Sequence, residues 1–153
     1  MPSVLILNGP NLNLLGARQP EVYGSTTLAD VEALCAEAGK RLGLDVAFAQ
    51  SNHEGALIDQ IHAAKSSHDA IVLNAGAFTH TSIAIMDAIA SVEMPVVEVH
   101  LSNIYLREEF RRKSVLTRAC DGIIAGFGKE SYRLAVEYFK KNQRSKIGFG
   151  RNS

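Results

Sequence analysis

Glu98, His100 and Ser102 alternate with Val97, Val99 and Leu101. Side chains along a strand alternate faces, so this spacing puts a carboxylate, an imidazole and a hydroxyl on one side. A carboxylate two positions from a histidine fixes the ring tautomer and favours the protonated ring, which makes His100 a proton donor. The competing, purely structural account has both side chains satisfied by neighbouring backbone, because buried polar groups need partners. A second pair, Arg18 and Tyr23, lies in the segment 8–24, NGPNLNLLGARQPEVYG. A phenol with its ordinary pKa of about 10 is a weak base, and a nearby cation lowers that value. The plainer role for Tyr23 is to close the core at the end of the loop.

Other candidates sit between these pairs. Asn74 begins the stretch NAGAFTHTS, in which its amide donates to an acceptor and Gly76 permits close backbone approach. The pattern predicts a helix from Thr79, with His80 at its N-terminus, where the positive end of the macrodipole favours a neutral imidazole. Asp87, seven residues on, falls on the same predicted face. A solvated cap histidine and a surface carboxylate are the bland alternatives. Backbone N–H groups at Ser102-Asn103, ahead of a predicted short helix 106–113, suit a carboxylate, or serve as a plain cap. Arg107 and Arg111 share a face of that predicted helix, and a planar guanidinium recognises paired oxygens. Alternatively they pair with Glu108 and Glu109. Gly126-Phe127-Gly128-Lys129 misses the phosphate-loop spacing, because Ile123 stands where the first glycine belongs. Histidines and cysteines show no metal spacing, so no metal is expected.

The elements that hold these residues come from alternating apolar runs and helical patterns. Strands are predicted at 3–8, 44–50, 70–74, 95–101 and 122–127. Helices are predicted at 27–42, 54–66, 79–92, 106–113 and 129–142. Val31, Leu34, Cys35, Ala38 and Leu42 keep the spacing of one buried helix face. The runs at 71–73 and 123–125 are apolar throughout, as in a parallel sheet covered on both sides. Repeated β-α units predict an α/β fold, a flavodoxin-like doubly wound five-stranded parallel sheet of order 2-1-3-4-5 with helices on both faces. Ligands of such sheets bind beyond the carboxyl ends of the strands. There Asn8–Asn11, Asn74–Gly76 and Glu98–Asn103 converge.

The chain has 153 residues, 46% of them hydrophobic, which predicts one domain over 1–142 and a polar, disordered tail over 143–153. Formal net charge is +0, from 16 basic and 16 acidic residues, and gives no nucleic-acid footprint. No run is long and apolar enough for a membrane span, and no leader is visible. Cys35 and Cys120, far apart, read as reduced structural thiols of a cytoplasmic protein. A flavodoxin-like module that binds a flavin or phosphate without catalysis is the main rival reading. It wants a hydroxyl-rich loop after the first strand, and 8–11 has none. A phospho-receiver wants an acceptor Asp where this chain has Asn74.

Four blocks together carry a resemblance over most of the chain: 8–11 through 18–24, 50–55 (QSNHEG), 74–82, and 98–103 through 107–111. With them the chain resembles type II 3-dehydroquinate dehydratase. The resemblance implies anti elimination of water from 3-dehydroquinate through an enolate, with no cofactor. It implies Tyr23 as general base, Arg18 as the residue that ionises it, and Asn11, with a water, as the support for the enolate oxygen. His100 is implied as the acid that protonates the departing hydroxyl, with Glu98 orienting it. Asn74, Ser102 and the Leu101 backbone are implied to hold the substrate carboxylate, and His80 and Arg111 the ring hydroxyls. Asp87 is implied to reach across a subunit contact in a homo-oligomer, a dodecamer of trimers. The chemistry is coherent: a proton next to a ketone needs a base and a stabilised enolate, and hydroxide leaves poorly without an acid. No Lys occurs in the four blocks, in keeping with acid–base catalysis rather than a Schiff base.

Overall fold

In the computed structural model, residues 1–17, 21 and 24–141 are described. Arg18, Tyr23 and the tail 143–153 lie outside them. Among the described residues, five parallel strands form one sheet in the order β2-β1-β3-β4-β5. They are β1 (Ser3–Asn8), β2 (Asp45–Gln50), β3 (Ala70–Asn74), β4 (Val96–His100) and β5 (Gly122–Ala125). The helices are α1 (Leu28–Leu42), α2 (Glu54–Ser67), α3 (Ile83–Ser91) and α4 (Glu130–Lys141). None of them is long and apolar enough to cross a membrane.

Strand periodicity sorts the core onto two faces. Val4, Ile6, Val72, Val97 and Val99 pack with Val31, Cys35, Tyr132, Val136 and Phe139 from α1 and α4. Leu5, Leu7, Ile71, Leu73 and Val96 pack with Leu57, Ile61, Ile85 and Ile89 from α2 and α3. Every residue of β3 and β4 is buried, as a strand covered on both faces requires. The same parity assigns the polar strand ends: Asn8 and Asn74 follow Ile6 and Val72 onto the α1/α4 face, while Glu98 and His100 follow Val96 onto the α2/α3 face.

The boundaries follow local chemistry. Thr27 and Asp30 form a capping box at α1: the Thr27 hydroxyl accepts from the Asp30 N–H (3.1 Å), and the Asp30 carboxylate from the Thr27 N–H (3.0 Å). The helix predicted from Thr79 instead begins at Ile83. Ser82 caps it, accepting from the Ile85 N–H at 2.9 Å, and residues Gly76–His80 form a tighter 3-10 turn. His80 is therefore ahead of the α-helix, not in its first turn and not on a helix face with Asp87. The predicted helix 106–113 is two separate 3-10 turns, Ile104–Leu106 and Glu109–Arg111. Arg107 between them is extended (ψ 179°), which stops helical propagation. Strand β5 ends at Ala125 rather than 127 because Gly126 turns away with φ 97°.

Candidate active site

The loops after β1 and β3 interlock at the carboxyl edge of the sheet. The Gly9 N–H donates to the Asn74 carbonyl at 2.7 Å. A Cβ on Gly9 would sit 2.5 Å from the Ala75 carbonyl oxygen, and one on Gly76 (φ +59°) 2.9 Å from that of Pro10. Glycine is required at both positions. Beyond them, Asn11 has φ 69°, the one non-glycine residue with positive φ among those described. Asparagine tolerates this left-handed conformation better than most residues. Its N–H donates to Asn52 Oδ1 (3.0 Å), and Gln50 Nε2 donates to the same oxygen (3.1 Å) and to the Gly9 carbonyl (3.1 Å). The 50–55 block is thus the brace that holds Asn11 in place.

On the α2/α3 face, His100 Nε2 lies 2.5 Å from Glu98 Oε2. A carboxylate only accepts, so Nε2 carries the proton and donates it, and Nδ1 is the nitrogen left for a ligand. Glu98 is completely buried. Its other oxygen, Oε1, accepts from the Thr117 hydroxyl at 2.5 Å, and the Ser114 side chain adds a further hydrogen bond. Burial alone pushes the Glu98 carboxyl up. Hydrogen bonding and charge from His100, with the Thr117 and Ser114 hydroxyls, outweigh it and hold the carboxyl below its ordinary value. The result is an anion fixed against one ring nitrogen of His100.

On the opposite face, Tyr132 from α4 is fully buried between two strand ends. Its hydroxyl donates to Asn8 Oδ1 (2.6 Å) and accepts from Asn74 Nδ2 (2.9 Å). Asn74 Oδ1 accepts from the Gly76 N–H at 3.1 Å. This network sets the orientation of the Asn74 amide and leaves its second N–H for the cavity. Burial drives the Tyr132 phenol far above its ordinary value, so it stays neutral.

A cavity of about 180 Å³ lies across these strand ends. Its volume is below the roughly 300–1,000 Å³ typical of pockets for drug-sized ligands. Asn11, Asn74, His80, His100, Leu101, Ser102 and Arg111 all line it. Glu98 stands behind His100. The His80 ring is fixed by the Lys113 carbonyl, 2.7 Å from Nδ1, so Nδ1 carries the proton and Nε2 remains. Arg111 pairs with Glu108 (2.7 Å) and lies over the Phe110 ring (5.2 Å), while still lining the cavity.

The sequence model of the Dehydroquinase class II family matches residues 2–140. The chain belongs to that family. The resemblance carried by the four sequence blocks is borne out, and a class II dehydroquinase is an enzyme. The chain is 63% identical over 137 residues to the 3-dehydroquinate dehydratase of Ruegeria pomeroyi, covering 90% of this chain and 92% of that one. It is 60% identical over 134 residues to the 3-dehydroquinate dehydratase of Dinoroseobacter shibae, covering 88% and 89%. Its structure is similar to the type II dehydroquinase of Butyrivibrio crossotus, with a TM-score of 0.88 and 44% identity, covering 90% of this chain and 96% of that one.

In this dehydroquinase, Asp87 is the described candidate that the chain does not bring to its own cavity. It is exposed on α3 and is not among the lining residues. Arg18 and Tyr23 lie outside the described residues. Sequence reasoning left out Tyr132, Thr117 and Ser114, which reach the site from 58, 19 and 16 residues away from the residues they hold. Arg107, paired with Arg111 on a predicted helix face, does line the cavity, with its guanidinium 3.4 Å from the Ser102 hydroxyl, although the helix itself is two separate turns. Cys35 is a buried core thiol. Burial and, less strongly, Glu32 push it up to about 12, so it is no nucleophile at neutral pH.

Proposed function

We propose that this dehydroquinase catalyses the loss of water from 3-dehydroquinate to give 3-dehydroshikimate by anti elimination, a step of aromatic biosynthesis. Tyr23, ionised beside Arg18, takes the proton from the carbon next to the ketone. The electron pair left behind forms an enolate, whose oxygen Asn11 steadies together with a water. His100 then protonates the hydroxyl as its bond to carbon breaks, water departs and the enone forms. Glu98 favours the cationic ring that this transfer needs. Asn74, the Leu101 and Ser102 backbone and the Ser102 hydroxyl hold the substrate carboxylate, while His80 and Arg111 bind ring hydroxyls. Asp87 completes the site of a neighbouring subunit in a dodecamer of trimers. The enzyme works in the cytoplasm as a single catalytic domain, without a cofactor.

The observation that carries this reading is the Glu98–His100 pair at a small cavity that Asn74, Ser102 and Arg111 also line, in a chain of this family. Burying a carboxylate–imidazole pair costs free energy, and a role as general acid accounts for its presence at a ligand site. The test is ultraviolet absorbance of the conjugated enone when purified enzyme meets 3-dehydroquinate. Absorbance should rise with wild type and stay flat with Tyr23→Phe. A flat trace with wild type rejects the reaction, and normal turnover by Tyr23→Phe rejects the base.

A further inference from the structure

The Glu98 carboxylate has two oxygens and a different task at each. Oε2 faces His100, and Oε1 faces Thr117, which opens the 3-10 turn Thr117–Ala119. That turn is itself held: the Ser114 oxygen accepts from the N–H groups of Leu116 (3.1 Å) and Thr117 (3.3 Å), and the Val115 N–H donates to the Thr79 carbonyl (2.9 Å). With its oxygen lone pairs so engaged, Ser114 has its own proton to offer Glu98. The Thr117 hydroxyl, on a short charge-assisted bond, does the same at Oε1.

We propose that Thr117 is a positioning residue for the reaction: its hydroxyl fixes the rotation of the Glu98 carboxylate, and so the carboxylate oxygen against which His100 is held. This rests on the reading of His100 as the acid. Without Thr117 the carboxylate keeps one firm anchor, turns about its terminal bond, and loses part of what offsets its burial. His100 then loses the constant negative partner that stabilises its cationic form. Outer-shell hydrogen bonds to a working side chain commonly contribute about 10–100-fold to activity.

The surroundings of Thr117 make this separable from packing. Thr117 and Ser114 also line a second cavity, of about 310 Å³, with Arg112, Lys113, Ile104 and Ile123. Thr117→Ala would open Glu98 to water from that side, and a water replaces the lost donor. Thr117→Val keeps the shape, presents a methyl group, and excludes the water. A donor role therefore ranks the variants Ser, then Ala, then Val in falling kcat. A packing role ranks Val above Ala, because only Ala leaves a hole.

The experiment is steady-state kinetics of Thr117→Ser, Thr117→Ala and Thr117→Val in the full chain, across pH, beside His100→Ala. Expected are near-normal Thr117→Ser and a loss of about tenfold or more in kcat for Thr117→Val with KM held. The acidic limb of the Thr117→Val kcat profile should move to higher pH. Unchanged kcat and an unchanged limb in Thr117→Val, or Val outperforming Ala, overturn the inference. Should Thr117→Val not fold, equal kcat and limb for Thr117→Ala and Thr117→Ser overturn it instead. An inactive His100→Ala beside a normal Thr117→Val removes Thr117 alone. A fully active His100→Ala removes the acid assignment, and the role of Thr117 with it.

Discussion

Two polar networks meet at the carboxyl edge of the sheet, one on each face, and they differ in charge. On the α1/α4 side, Asn8, Tyr132 and Asn74 are neutral donors and acceptors joined end to end. On the α2/α3 side, Glu98, His100 and Thr117 surround a buried anion. A neutral network fixes an amide in space but moves no proton, since Tyr132 is held protonated by its burial. The charged network has a carboxylate held below its ordinary value beside an imidazole, the side-chain type that the proposed function needs for proton transfer. Under the proposed function, the face of Asn74 serves recognition and the face of His100 serves proton transfer, with the cavity between them.

Four substitutions test that division, from the largest effect to the smallest. His100→Ala should lower kcat by about 10²–10⁴-fold, the range for a lost general acid, with little change in substrate binding. A small loss would mean that the charged side is only scaffold. Glu98→Gln should lower kcat by about 10–100-fold, because a neutral amide cannot stabilise the cationic ring. It also carries a pH signature. Glu98 is held below the ordinary carboxylate value, so its contribution to stability is present above about pH 4.3, the unfolded value. That contribution disappears as pH falls through the lower folded value. Acid unfolding followed by circular dichroism should therefore depend less on pH in Glu98→Gln than in wild type, and an equal dependence would contradict the ionised assignment.

On the neutral side, Asn74→Ala should act chiefly on KM, raising it by about tenfold, the worth of one hydrogen bond to a charged group. A loss confined to kcat would put Asn74 in the chemistry instead. Tyr132→Phe should leave kcat almost untouched. It strands Asn8 Oδ1 and Asn74 Nδ2 in the core, so urea unfolding should show a loss of about 1–3 kcal/mol. An unchanged unfolding midpoint would show that water replaces the phenol there.

What the sequence disclosed follows the same line. Apolar runs and helical spacing predicted the sheet order, because burial on two faces leaves a periodic mark. The Glu98–His100 pairing was legible because both residues sit on one strand, two positions apart. The 106–113 helix was misread because an extended Arg107 leaves no mark in composition. The start of α3 was expected too early, at Thr79, because the cap is Ser82 and the residues before it form a 3-10 turn. Tyr132 and Thr117 were invisible as site residues. Their partners lie far along the chain, and only the packing of α4 and of the 117–119 turn brings them in. Tyr23 and Arg18, outside the described residues, remain part of the proposal through the sequence alone.

The central claim is that His100 acts after proton removal, as the acid for the leaving hydroxyl. Its most direct test is proton exchange by His100→Ala with 3-dehydroquinate in deuterated water, followed by mass spectrometry of recovered substrate. The account predicts that the variant incorporates deuterium next to the ketone while forming almost no enone. Recovered substrate without deuterium, or enone formed at the wild-type rate, would contradict it.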